Sequence, residues 1–270
     1  MKIKYLGSAA YDAIPAPFCC CETCRRSRQA GGKNIRTRTQ ALVDEDLLID
    51  FNSDTVSHFL QYNIDTLQIQ HCLITHNHSD HLYVPDMLIP QYSREAVKVM
   101  YYAAESGYKE IQKGIEETPL ISKFAHAYCV EPYKPFYCGK YRVLPLPANH
   151  DPQASPVFYA IEKDEKRLLY AHDTGVFFED VYEALRKFGR FDLVSLDCTG
   201  ALQPDYRNGH MCVSTNLEVI EKLKKIKVVD EHTILVINHF SHNGAATYDD
   251  LVENVPKNWI VGYDGLTLEF

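Results

Sequence analysis

The run Thr75-His76-Asn77-His78-Ser79-Asp80-His81 constrains this chain more than any other feature. It follows the apolar stretch Cys72–Ile74 directly, and a strand ending there leaves His76, His78, Asp80 and His81 in one short loop at a sheet edge. Imidazole nitrogen and carboxylate oxygen are donors that suit Zn, Mn or Fe ions. Two histidines two apart can share one ion, while the Asp80-His81 pair turns toward a second. Solvated loop histidines, or a helix start capped by Asp80, would not require so dense a set.

More donors recur after later strand-like runs. His150 and Asp151 follow Tyr141–Leu146, His172 and Asp173 follow Leu168–Tyr170, and His239 follows Ile234–Ile237. Each alone reads as a satisfied histidine or a capping aspartate. The repeated position matters, because loops at strand ends converge on one crevice in layered α/β folds. Further strands are expected at Lys2–Leu6, Thr39–Val43, Asp46–Asp50, Val157–Ile161, Leu193–Leu196 and Trp259–Tyr263, with Glu162–Arg167 closing a hairpin. Amphipathic helices are expected at Glu179–Phe188 and Asn216–Ile226, the second after the N-cap candidates Ser214 and Thr215. Early meanders followed by strand–helix alternation predict an α/β (α+β) fold with sheets sandwiched by helices. No repeat or linker divides residues 1–270, so one domain is expected, and residues 85–135, with mixed helical and turn signals, could be a lid or an insertion.

A net charge of −8 argues against a general nucleic-acid binder, which needs a basic footprint. A small anionic substrate remains compatible, since bound cations supply local positive charge. The N-terminus lacks the apolar core of a signal peptide and no run is apolar enough to span a bilayer, so a cytoplasmic protein without a membrane partner is expected. In a reducing compartment, the clustered Cys19, Cys20, Cys21 and Cys24 read as metal ligands rather than disulfides. Cys19, Cys21 and Cys24 form C-x-C-x-x-C, and His242 is the candidate fourth ligand of a structural zinc. Cys20 leaves the register open, and a turn with buried thiols is the plainer alternative.

Taken in order, His76-x-His78-x-Asp80-His81, His150, Asp173 and His239 resemble the signature of the metallo-β-lactamase superfamily. The resemblance implies a four-layer αββα sandwich with its site at one edge. It puts His76, His78 and His150 on a first metal, Asp80, His81 and His239 on a second, and Asp173 between them. Leu6–Ala10, Ile14–Cys19, Gly31–Asn34 with Arg36 and Arg38, His239–His242 and Tyr263–Leu266 further resemble PhnP-type cyclic phosphodiesterases, which open a phosphoribosyl 1,2-cyclic phosphate. That likeness implies that His242 closes the zinc site of the three cysteines, and it suggests a homodimer. Tyr11-Asp12-Ala13 departs from the more Gly-rich opening turn of that group.

The chemistry expected is hydrolysis of a small cyclic phosphodiester, a phosphoribosyl or nucleoside 2′,3′-cyclic phosphate, by a hydroxide bridging two divalent metals. Asp80 and His210 are the candidate catalytic residues. Gly209-His210-Met211 resembles the Gly-His loop of superfamily phosphodiesterases, and His210 would contact the phosphate and protonate the leaving oxygen. Asp197 could orient a ligand histidine or cap a turn. Arg36 and Arg38 could hold phosphate or pair with surface carboxylates. His172 is not counted as a ligand; His58, His71, His126 and His232 read as structural or solvated, and Cys72, Cys129, Cys138, Cys198 and Cys212 as buried thiols. Rival readings are a ribonuclease Z-like nuclease, whose basic Gly-rich arm is not found here, and a lactone or thioester hydrolase using the same metals. A scaffold with a relic site conflicts with the complete ligand set, and a diiron redox protein usually carries Glu where this chain has His78.

Overall fold

Period-two alternation determines how the strands of this chain stack. A computed structural model describes residues 1–270. The first sheet contains β1 (Lys2–Gly7), β2 (Gln40–Val43), β3 (Leu47–Ile49), β4 (His71–Ile74), β5 (Val99–Ala103) and β6 (Ala125–Cys129) in that order. The second contains β7 (Phe136–Cys138), β8 (Tyr141–Pro147), β9 (Val157–Lys163), β10 (Lys166–Ala171), β11 (Leu193–Asp197), β12 (Ile234–Asn238) and β13 (Trp259–Val261), again in sequence order. The last strand, β14 (Thr267–Glu269), returns to pair antiparallel with β1. Each sheet is half antiparallel meander and half parallel, β3 to β6 in the first and β10 to β13 in the second.

Ala41, Val43, Leu47, Ile49 and Leu73 face Tyr141, Val143, Tyr159, Ile161, Leu168 and Tyr170 in a core between the sheets. The alternate residues, Leu42, Leu48, Cys72 and Ile74, face outward onto Met87, Ile111 and Ile121. These outer partners come from α3 (Val84–Met87), α4 (Glu105–Glu117) and the turn after it, with Phe59 of α2 (Thr55–Gln61) packed beside them; α1 (Glu22–Ala30) lies elsewhere, after the cysteine cluster. On the other side, α5 (Glu179–Phe188), α6 (Val213–Lys225) and α7 (Tyr248–Asn254) cover Leu144, Leu146, Leu169, Val194, Leu196, Leu235 and Ile237. In α5 the stripe Val181, Tyr182, Leu185 and Phe188 carries the contact, and Gly189, at φ 115°, ends the helix. Each such Leu or Phe contributes about 1.5–3 kcal/mol by leaving water. Every residue of β11 is buried, as expected of a parallel strand covered on both faces. The result is the four-layer αββα sandwich.

Strands β8, β10, β11 and β12 run in one direction, so their C-terminal ends share one edge of the second sheet. The loop after β4 is tied to that edge. Val157 N–H donates to Thr75 O at 2.9 Å, and the buried Tyr159 hydroxyl donates to Ile74 O at 2.6 Å. Tyr159→Phe should therefore leave Ile74 O underbonded and cost about 1–2 kcal/mol; unchanged urea stability would show that this bridge carries nothing.

The structure departs from the sequence expectations in several places. Residues 85–135, expected as a lid or an insertion, supply β5, β6 and α4, which complete the first sheet and its helical cover. Helix α6 begins at Val213 with Cys212 as its N-cap; Thr215 sits at N3 and reaches back to the Cys212 N–H at 2.9 Å, so neither Ser214 nor Thr215 is the cap. Cys129 is exposed, because it ends the edge strand β6, and is not a buried thiol. No helix is long and apolar enough to cross a membrane.

Candidate metal centre

Three imidazoles meet where β4 and β8 end. His76 Nε2 and His150 Nε2 lie 3.0 and 3.2 Å from His78 Nδ1. The other ring nitrogens fix the tautomers. His150 Nδ1 is 3.0 Å from Gly209 O and His78 Nε2 is 3.4 Å from Asp151 Oδ2, both acceptors only, so those nitrogens carry the protons. His78 Nδ1 and His150 Nε2 then present lone pairs to one another at 3.2 Å, an arrangement that a shared cation relieves. Ligand nitrogens on a tetrahedral zinc are separated by about 3.3 Å, given bonds of about 2.0–2.1 Å. The donor set fits an ion.

Beside it, Asp80, His81, Asp173 and His239 form a second set, all buried. His81 Nδ1 lies 2.8 Å from Asp50 Oδ2, and His239 Nδ1 lies 3.2 Å from Asp197 Oδ2 and 2.8 Å from Thr199 Oγ1. Both rings thus turn Nε2 inward, and His239 Nε2 is buried without a hydrogen-bond partner. His81 Nε2 approaches Asp173 Oδ2 to 2.6 Å and Asp80 Oδ2 to 3.3 Å. Burial opposes a second proton on His81, but Asp80, Asp50 and Asp173 outweigh it and raise its pKa well above the imidazole range. A divalent ion competes for the same place with twice the charge. Burial likewise works against the Asp80 carboxylate, yet His81 draws its pKa down to about 2.

Asp173 touches both sets: Oδ2 lies 3.3 Å from His76 Nε2 and 3.5 Å from His239 Nε2, and Oδ1 lies 3.9 Å from His150 Nε2. Asp50, Asp173 and His239 all adopt the left-handed backbone region, with φ of 67°, 52° and 62°. That conformation costs about 1–2 kcal/mol per non-glycine residue, and here the surrounding strands hold it at the points where side chains must turn inward. Asp50 was not singled out as functional in the sequence, although it ends the Asp46–Asp50 run just as the other donors end theirs.

His210 enters from the loop before α6. Its Nδ1 lies 3.1 Å from Asp173 Oδ1 and 3.2 Å from Asp197 Oδ2. Burial lowers its pKa, but Asp197 and Asp173 prevail and push it up to about 11. Asp197 is wholly buried, accepts the Met211 and Thr199 N–H groups, and orients both His210 and His239. His78, Asp80, His150, Asp173, His210 and His239 open onto a cleft of about 520 Å³, whose walls include Ala10, Tyr11, Asp12, Tyr206, Ser241 and Asn243.

The cysteine cluster lies behind that wall. Cys19, Cys21, Cys24 and His242 converge, with His242 Nδ1 3.6 Å from Cys19 Sγ and 3.4 Å from Cys21 Sγ. Sulfur and nitrogen on one tetrahedral zinc stand about 3.6 Å apart. Cys21 is the N-cap of α1 and Cys24 lies in its first turn, where the helix dipole favours thiolate. Burial opposes ionisation of Cys21, but the Cys24 N–H and His242 draw its pKa down to about 6; burial pushes Cys24 up to about 12. Cys20 is exposed and outside the cluster.

The arginines are committed elsewhere. Arg36 is buried, donates to Ser8 Oγ at 2.8 Å and Gly262 O at 2.6 Å, and its guanidinium lies over the Phe240 ring. Arg38 pairs with Asp54 at 3.0 Å and donates to Tyr11 O. Neither lines the cleft: Arg38 takes the carboxylate partner that was the alternative to phosphate, and Arg36 takes neither. His172 contacts Ser195 Oγ at 2.8 Å and joins no ligand set. His58 and His71 are buried, and His232 is exposed.

An αββα sandwich with paired His/Asp donor sets at the edge of its sheets defines a metallo-β-lactamase-fold protein. Residues 47–233 match the family described as the Beta-lactamase superfamily domain, and the chain belongs to that family. It is similar to a diphosphatase from the PhnP family at 22% identity, with a TM-score of 0.74 over 100% of this chain and 97% of the other. Zn²⁺-bound PqqB from Methylobacterium extorquens is similar at 19% identity and a TM-score of 0.75, over 100% of both chains. The short form of human tRNase Z matches at 13% identity and a TM-score of 0.66, over 100% and 99%. At these identities the likeness is one of fold. No curated protein matches the sequence significantly.

Proposed function

We propose that this chain is a binuclear metal-dependent phosphodiesterase that opens a small cyclic phosphodiester. The observation carrying the reading is His210: its Nδ1 is anchored 3.1 Å from Asp173, the carboxylate shared by the two ligand sets. His76, His78 and His150 would hold one divalent ion, and Asp80, His81 and His239 the other, with Asp173 between them. Zn, Mn or Fe suits these donors, and zinc suits the thiolates of Cys19, Cys21 and Cys24 with His242. Bound there, two divalent ions supply Lewis-acid activation of water and neutralisation of phosphoryl oxygens.

The protein's own residues do the rest. Asp173 and Asp197 anchor His210 Nδ1, which leaves Nε2 to serve as a donor for a phosphoryl oxygen and a proton source for the departing alkoxide. Asp50, Asp197, Thr199 and Gly209 O hold the ligand imidazoles in single tautomers. A cleft of about 520 Å³ suits a small molecule better than a folded RNA.

His210→Ala should lower kcat about 100- to 1000-fold at unchanged metal content. The loss should be greater for an alkyl leaving group than for p-nitrophenolate, which departs without a proton. Equal losses for both would remove His210 as the acid. The reaction class is tested by turnover of a cyclic phosphodiester beside a lactone, a thioester and a diphosphate, the last because one relative of this fold is a diphosphatase.

A further inference from the structure

The turn carrying Ala10, Tyr11 and Asp12 forms one wall of the cleft, and Tyr11-Asp12-Ala13 is where the chain departs from the Gly-rich turn of the PhnP-type enzymes it resembles. It is held from three sides. Ala10 N–H donates to Phe240 O at 2.9 Å, beside the ligand His239. Arg38 Nε donates to Tyr11 O at 3.0 Å, with its guanidinium 5.6 Å from the Tyr11 ring centroid. His242 Nε2 lies 3.4 Å from Asp12 Oδ2. Because His242 turns Nδ1 to the cysteines, Nε2 carries its proton and faces the carboxylate. The cysteine cluster thereby fixes a carboxylate in the wall of the cleft.

No lysine or arginine is among the 16 residues lining that cleft. Arg38, which contacts Tyr11, and Arg207, which adjoins Tyr206, are already paired, the first with Asp54 and the second with Asp205 and Glu218. Two ions in the His/Asp sets and His210 can neutralise one phosphodiester, and no further cationic side chain in the lining is left to neutralise a second phosphate. Asp12 points the same way, since a carboxylate accepts hydrogen bonds and repels anions. Beside it, the exposed Tyr11 ring offers a face on which a sugar or base can lie.

Building on the phosphodiesterase reading, we propose that Asp12 is a specificity-determining residue that accepts a substrate hydroxyl and excludes a second phosphate group. The substrate class is then a cyclic phosphodiester whose remaining polar groups are uncharged hydroxyls, such as an unphosphorylated nucleoside 2′,3′-cyclic phosphate, and not a phosphoribosyl cyclic phosphate with its terminal phosphate.

The test compares metal-replete protein on adenosine 2′,3′-cyclic phosphate and on the same compound bearing a 5′-phosphate. Wild type should prefer the 5′-hydroxyl compound by about tenfold or more in kcat/KM, through KM rather than kcat and less strongly at high salt. Asp12→Asn removes the charge and should shrink that preference to about twofold or less, by raising KM for the 5′-hydroxyl compound and lowering it for the 5′-phosphate. Equal wild-type kcat/KM for the two compounds, or an undiminished preference in a folded Asp12→Asn, overturns the assignment while leaving the phosphodiesterase reading intact. The wild-type comparison decides even if the variant does not fold. Turnover of neither compound sinks the phosphodiesterase reading itself, and this inference with it.

Discussion

Asp173→Asn is expected to reduce turnover of a cyclic phosphodiester by about a thousandfold or more, the largest loss of any conservative change in this chain. The substitution preserves shape and removes one negative charge. That charge meets His76 at 3.3 Å, His81 at 2.6 Å, His239 at 3.5 Å and His210 at 3.1 Å, so both donor sets lose their common carboxylate at once. Without it, the clustered imidazole lone pairs face an amide that neutralises no cation. Metal analysis after dialysis should show loss from the His/Asp sets, while the cysteine cluster keeps its ion. Retention of two His/Asp-bound ions and near-normal kcat would contradict the bridging role.

Cys24→Ala should act on stability first. Its thiol is fully buried at the start of α1 and accepts the Ala16 N–H at 3.3 Å, so alanine removes a candidate metal ligand and an anchor of the preceding loop. A structural zinc contributes folding free energy directly, and losing one ligand here should cost several kcal/mol, on the order of 2–5. The melting temperature should fall by several degrees and one metal per chain should be lost. Activity should decline less, chiefly through KM, because His242 also steadies Asp12 in the cleft wall. Loss of activity without any destabilisation would falsify the structural assignment of this cluster.

The centre was legible because its donors are local punctuation: each follows an apolar run that becomes a buried strand. His76 to His81, His150, Asp173 and His239 could be found this way with no knowledge of which strands are neighbours. Asp50 escaped notice because a lone aspartate ending a strand-like run carries no chemical mark, and its contact with His81 exists only once β3 and β4 pair. Arg36 was misread for a similar reason, since its acceptors Ser8 Oγ and Gly262 O come from opposite ends of the chain. In the fold, the unpredicted strands β6, β7 and β14 are sheet edges, and β5 adjoins one. Their outward residues stay wet, so runs such as Ala125–Cys129 lack the apolar contrast that marks β11. Helix α1, polar along much of its length, is placed by its cysteines rather than by an apolar stripe.

The most direct measurement is hydrolysis of 2′,3′-cyclic AMP by chain stripped of metal and reconstituted with Mn or Zn, run beside a thioester and a lactone. The account predicts turnover of the cyclic phosphate alone, abolished by chelator and restored by metal. Turnover of a carboxyl ester instead, with the cyclic phosphate untouched, would keep the fold and the donor sets but contradict the phosphodiesterase.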